Sequence, residues 1–240
     1  MSPKGRVAVL TGLLAALGVG VSVAIIAAGG GFAGSGQSFL HPPTAKDIWQ
    51  VGNNIQNGTT LDYALTAKAE HSSLESARVS MSFRDTGSNW DVRLAITNGT
   101  GQAIEKTITL SKQLTKEGQL DNSSRLYFEP VQSSILAVRD MDYNDNTTPK
   151  YLVVGAPWDT IFVASSSITV RVTGEETVQT QAGSFDSFVL SYKLLDKTSK
   201  IWVVRDMPLP VKAEVYDAAD NLQYKYELIK MSGISSASLL

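Results

Sequence analysis

Cysteine is absent from the 240 residues, and that one absence removes several chemistries. There can be no disulfide, no thiolate metal site, no thiol nucleophile and no lipid-modified cysteine. Histidine is nearly absent too, with only His41 and His71, so a Ser-His-Asp triad or a histidine-rich metal site is hard to assemble. Charge of one sign is also missing. A formal net charge of −2 arises from 21 basic and 23 acidic residues interspersed along the chain, which leaves no basic stripe to neutralise phosphates and argues against nucleic acid as a partner.

What the chain does have is one long apolar run. Residues 7–28 carry no charge, with Thr11 and Ser22 as the polar interruptions; as a helix these roughly 22 residues would extend about 33 Å, the thickness of a bilayer core. Lys4 and Arg6 precede the run and the next charge is Lys46, so the positive-inside rule predicts a cytoplasmic stub (1–6), an uncleaved signal-anchor helix (7–28) with the bilayer as its partner, and an extracellular remainder at a cell membrane. A cleaved leader is the competing reading, but its apolar core would be shorter. Gly12, Ala16, Gly20, Ala24 and Ala28 recur every fourth residue and would form a small-residue helix-pairing face. Gly29, Gly31 and Gly34 spell a G-x-G-x-x-G without the strand and helix a dinucleotide loop needs, so 29–44 reads as a juxtamembrane linker.

From 45 to 231 the pattern predicts one extracytoplasmic β domain, followed by a flexible tail (232–240). A short helix is expected over 45–55. Period-two alternation then sets Leu61, Tyr63, Leu65 and Ala67 against Asp62, Thr66 and Lys68, as in a strand with one buried face. Similar alternation covers 79–83, 90–96 and 104–110, broken by turn residues that include Asn98-Gly99. Residues 129–141 have helical apolar spacing with Pro130 in the first turn, and strands are expected again at 167–172, 185–195, 200–205, 211–216 and 222–229. Short connections predict sequential neighbours in one sheet.

The stretch T-Q-A-G-S-F-D at 180–186, the strand carrying Trp202, and Leu209-Pro210-Val211-Lys212 leading into another strand resemble the C-terminal half of extracytoplasmic half-barrels of the lipoprotein-localisation-factor type. The resemblance spans about 175–230 and implies a mainly β fold: a curved, half-barrel-like antiparallel sheet with one or two short helices, here preceded by a transmembrane helix. It also implies that some relatives enclose an apolar ligand groove. The family's lipid-attachment cysteine is missing from this chain.

Few residues carry candidate chemistry. Four N-x-[ST] sequons, at Asn57, Asn98, Asn122 and Asn146, are candidate glycosylation sites; with the missing cysteines they suggest an archaeal envelope glycoprotein. Asp140, Asp142 and Asn144 match the start of a calcium loop, but Asp145 and Tyr151 stand where glycine and glutamate belong, so no metal is expected. The paired carboxylates Glu175 and Glu176, or Asp85 and Asp91, fall at turns or solvent faces. Trp158, in the loop-like Gly155-Ala156-Pro157 context, is the candidate ligand aromatic. No catalytic, cofactor or metal residue is expected. The reading is a non-enzymatic, membrane-anchored envelope protein with a binding or assembly role and a protein partner; the alternative is a module binding an apolar or glycan ligand in the sheet's concavity. An enzyme of unrecognised type is the third reading, because fold alone does not exclude chemistry.

Overall fold

The structure is a computed structural model that describes residues 39–68, 73–101, 103–139, 149–163 and 166–234. Among the described residues ten strands form, all but the fifth overlapping stretches expected from the sequence: β1 (Thr60–Lys68), β2 (Ser73–Asp85), β3 (Asn89–Thr97), β4 (Ala103–Ser111), β5 (Pro157–Val163), β6 (Ser166–Thr180), β7 (Gly183–Leu194), β8 (Lys197–Val203), β9 (Lys212–Tyr216) and β10 (Leu222–Ser232). They make one antiparallel sheet in the order β4-β3-β2-β1-β10-β9-β8-β7-β6-β5. Short turns pair sequential strands, so β1 to β4 and β5 to β10 are two meanders. A single long-range ladder joins them, with Thr60 opposite Ser232 and Ala67 opposite Tyr224.

The expected curved half-barrel is corrected. The sheet is open, with β4 and β5 as its two edges, because closure would require those edges to pair. Half of the β4 edge is taken by the chain's own return, through Glu117 N–H to Thr109 O (3.0 Å) and Ser111 N–H to Thr115 O (2.8 Å). At the other edge, β5 begins on Pro157, which has no N–H to donate.

The membrane expectation is corrected as well. Among the described residues no helix is long and apolar enough to cross a membrane, so the single-pass topology, the cell-membrane localisation and the bilayer as partner lose their support. Residues 7–28, with Gly12, Ala16, Gly20, Ala24 and Ala28, lie outside the described residues.

One face of the sheet holds the main core. Leu61, Tyr63 and Leu65 of β1 meet Val79, Met81 and Phe83 of β2, and Leu190, Ile201, Ala213 and Leu228 extend the layer across β7 to β10, all buried. Each such large side chain contributes about 1.5–3 kcal/mol on removal from water. The connection from β4 to β5 covers this face with Leu114, Phe128, Val131, Ile135 and Leu136. Its helix α1 (Asn122–Gln132) packs on β1 and β2. Pro130 therefore sits in the last turn of a helix, not in the first turn of one over 129–141. The helix ends just beyond it, where the Ser133 hydroxyl donates to Glu129 O (2.8 Å) and the Ser134 hydroxyl to Pro130 O.

The short helix expected over 45–55 is a single 3-10 turn, Ala45–Asp47. The chain then runs extended against 150–152: Trp49 N–H donates to Lys150 O (2.9 Å) and Leu152 N–H to Asp47 O (2.7 Å).

Candidate functional site

The other face of the sheet is polar, and it is where a site forms. Alternation in Lys212-Ala213-Glu214 and Lys225-Tyr226-Glu227 sends the charges to this face while Ala213 and Tyr226 go to the core. The β9–β10 register then sets Lys225 directly opposite Glu214 and Glu227 opposite Lys212. On β10's other side stand Ala64, opposite Glu227, and Thr66, opposite Lys225. Together with Arg78 of β2, these residues bound a groove of about 490 Å³.

Neither Lys225 nor Glu214 has an ion-pair partner among the described residues, and Glu227 does not pair with Lys212. On β2 to β4, beginning with Arg78 at the groove's own β2 wall, opposite charges close. Arg78 and Asp62 meet at 2.6 Å, Arg93 and Glu105 at 2.5 Å, Lys112 and Asp85 at 2.7 Å, and Arg84 holds Asp91. In that last pair the Arg84 hydrogen bond, helped by the Thr109 hydroxyl, lowers the Asp91 carboxyl from its ordinary range. At the β9–β10 wall of the groove, by contrast, charged neighbours stay separate, with hydrogen-bonding capacity to offer a ligand.

Beside the groove Trp202 is buried against the polar face, pinned by its indole N–H to the Glu176 carboxylate. Lys212 and Lys200 lie over its ring at 5.2 and 5.8 Å, within cation–π range. The β6–β7 hairpin leans back to reach β10: Gln181 N–H donates to Glu227 Oε1 (3.1 Å), and Ala182 N–H to Leu228 O (3.4 Å). Glu227 therefore both bounds the groove and holds the hairpin tip.

Beneath the groove, on the core side, Tyr63 packs edge-on against Tyr226 at 5.6 Å, and Tyr226 stacks on Tyr224 at 6.0 Å. Burial pushes the phenols of Tyr63 and Tyr226 well above their ordinary values. They serve as rigid, neutral support rather than as acids or bases.

The residues singled out from sequence fall elsewhere. Trp158 lies within β5, 2% exposed, with its ring 5.7 Å from that of Trp49. It is core, not a loop aromatic. Asn57 uses its side-chain carbonyl to accept the Asp85 amide (3.0 Å), and Asn98 accepts both the amide (3.1 Å) and the hydroxyl (2.7 Å) of Thr100. These asparagines do turn chemistry, and with Asn122 merely opening α1 the glycoprotein expectation is withdrawn. Asn146, the 140–144 acidic loop and His71 lie outside the described residues; His41 is exposed. Among the described residues no group of three or more His, Asp or Glu side chains could hold a metal. The sequence signals only the β9–β10 wall of the groove, in the K-x-E repeats at 212–214 and 225–227.

No family model matches the chain, and no curated protein matches it. Its structure is distantly similar to those of extracytoplasmic proteins. A Parabacteroides distasonis chain called a lipoprotein matches at 17% identity, covering 76% of this chain and 99% of that one, with a TM-score of 0.37. A Bacteroides fragilis exported protein with a YmcC-like fold matches at 14% identity, covering 77% and 99%, with a TM-score of 0.35. MucB matches at 14% identity and a TM-score of 0.40, covering 79% of this chain but 59% of MucB. Likenesses this weak carry nothing about ligand or partner, and none of them supports the expected archaeal origin, which is withdrawn.

Proposed function

We propose that this chain is a non-catalytic binding module that holds a polar, glycan-type ligand in the groove across β2, β1, β10 and β9. The observation that carries the reading is the pair of cross-strand charge couples, Lys225 with Glu214 and Lys212 with Glu227, left unclosed in a groove of about 490 Å³. Sugar hydroxyls donate and accept at once, so alternating ammonium and carboxylate groups about 5 Å apart suit them. The charged lining disfavours an apolar ligand, because burying those groups against hydrocarbon would leave them without partners. An extended peptide is disfavoured as well: the four strands are interior to the sheet, and their backbone groups already serve the ladders. A non-catalytic role is supported by carboxylates that are ion-paired, hydrogen-bonded in turns or solvated.

Glycan-array binding of the full chain tests this. Retained glycans, lost in the Lys225→Ala/Glu227→Ala double variant, are the expected result. Retention of fatty acids instead, or of no glycan at all, would overturn it.

A further inference from the structure

At the β4 edge the chain's own return fixes which backbone groups face outward: Ser111 N–H donates to Thr115 O, and Thr109 O accepts from Glu117 N–H. Backbone direction alternates along a strand, so Thr107, Glu105 and Ala103 face outward too. Their outward N–H and C=O groups have no partner among the described residues. The return leaves the edge after Glu117, where Gly118 turns with a φ of 74°. Neither a proline nor a register shift interrupts the stretch it leaves bare, and a bare edge strand is a template for another strand.

On the core side of this stretch an apolar row stops short. Tyr63 lies opposite Val79, Val79 opposite Ile96, and Ile96 opposite Ile104. The first three are buried, whereas Ile104 is only half-buried, because β4 ends the sheet. A suitable occupant brings an apolar side chain to Ile104 and serves the outward groups of Ala103 and Glu105 on either side of it.

We propose that the occupant is a second copy of this chain, paired antiparallel through β4 about a two-fold axis at Ile104. The other symmetric registers on this stretch are unfavourable. An axis at Glu105 opposes two carboxylates and one at Lys106 opposes two ammonium groups, and like charges directly opposite destabilise a sheet. An axis at Thr107 needs Thr109 O, already bonded to Glu117, and one at Ala103 needs Gly101 N–H, already bonded to Asn98 O. The axis at Ile104 sets isoleucine against isoleucine and Glu105 against the partner's Ala103. Its two outward pairs supply about four backbone hydrogen bonds, and the row of Tyr63, Val79, Ile96 and Ile104 runs on into the copy. The interface is isologous and small, so the dimer is weak and forms with rising concentration. It uses none of the groove residues and stands apart from the glycan reading.

The absence of cysteine makes the test direct. In the full chain Ile104→Cys adds a single thiol. Across a non-hydrogen-bonded pair the two Cα atoms lie about 4.5 Å apart, within disulfide reach, so mild oxidation should give a covalent dimer on a non-reducing gel. Glu105→Cys, whose thiols fall on a diagonal about 7–8 Å apart, should stay monomeric. Sedimentation of the unsubstituted chain should show a monomer–dimer equilibrium, which Glu105→Pro should weaken by about tenfold or more. Proline suits the position because the Glu105 N–H faces out of the sheet; should that variant not fold, the two cysteine variants decide alone. A monomer at every concentration, or cross-linking at 105 equal to that at 104, would overturn the proposal. Association through another part of the chain would leave position 104 reduced and overturn it as well.

Discussion

The rings of Trp49 and Trp158 pack with centroids 5.7 Å apart and planes inclined at 48°, and the Trp49 indole N–H donates to Met207 O at 3.0 Å. This contact fastens the segment ahead of β1 to edge strand β5 and to the β8–β9 loop. Trp158 has no hydrogen-bond partner for its own Nε1 among the described residues. Trp158→Ala should therefore cost about 3–5 kcal/mol through the cavity it leaves, while Trp158→Phe should cost much less because it also removes a buried, unsatisfied N–H. Urea midpoints at constant m-value check both; equal losses would mean that a phenyl ring recovers none of the packing.

Leu195 holds a φ of 51° in the two-residue loop between β7 and β8, and is 72% exposed. A left-handed conformation costs a branched side chain about 1–2 kcal/mol, and no packing offsets it here. Leu195→Gly should stabilise the fold by about 0.5–1 kcal/mol after the entropy gained by the unfolded chain is counted. A thermal midpoint that falls would show that the leucine makes a contact of its own.

Arg78 holds one oxygen of Asp62, while Asp62 Oδ1 is buried without a partner among the described residues. Arg78→Ala leaves the whole carboxylate short of partners and should destabilise by about 1–3 kcal/mol. Asp62→Asn in the Arg78→Ala background removes the charge and should recover part of that loss. Double-mutant-cycle denaturation measures the coupling.

Asp47 is largely buried, which by itself would raise its carboxyl pKa, but hydrogen bonds from Thr44 N–H (2.8 Å) and Thr44 Oγ1 (2.7 Å) and the Arg205 guanidinium at 3.4 Å outweigh burial and lower it. A lowered native pKa means that the unfolded chain takes up its proton first. The stability Asp47 contributes is complete above the ordinary value near 3.8 and is lost as pH falls through the lowered native value. Denaturation between pH 5 and about 2 should show a shallower acid limb for Asp47→Asn than for the unsubstituted chain.

Local pattern made most of the strands legible. Leu61, Tyr63 and Leu65 against Asp62 and Thr66 could hardly be read otherwise, and the turn at 180–186 placed β6 and β7 correctly relative to one another. β5 was hidden because Gly155, Ala156 and Pro157 spell a loop, while the pairing that makes a strand of Trp158 comes from β6; strand formation depends on partners more than on propensity. The helix was misplaced because the apolar spacing of 129–141 continues past α1 into the turn where Ser133 and Ser134 take its last carbonyls. Openness of the sheet depends on its edges, which the alternation within strands does not encode. The groove was illegible for a related reason: Thr66 meets Lys225 only through the β1–β10 ladder, and no local signal specifies that register.

That ladder also spans the greatest sequence separation of the strand pairings among the described residues. Hairpins within each meander can close over short loops, but β1 must find β10 across most of the chain, and such pairing forms late and slowly. The groove straddles this seam, with Thr66 and Arg78 on one meander and Lys212 and Lys225 on the other. An occupant of the groove acts as a staple between two halves that otherwise could part as separate units, so its binding would slow unfolding by holding the seam shut and would be the first property lost when the seam opens.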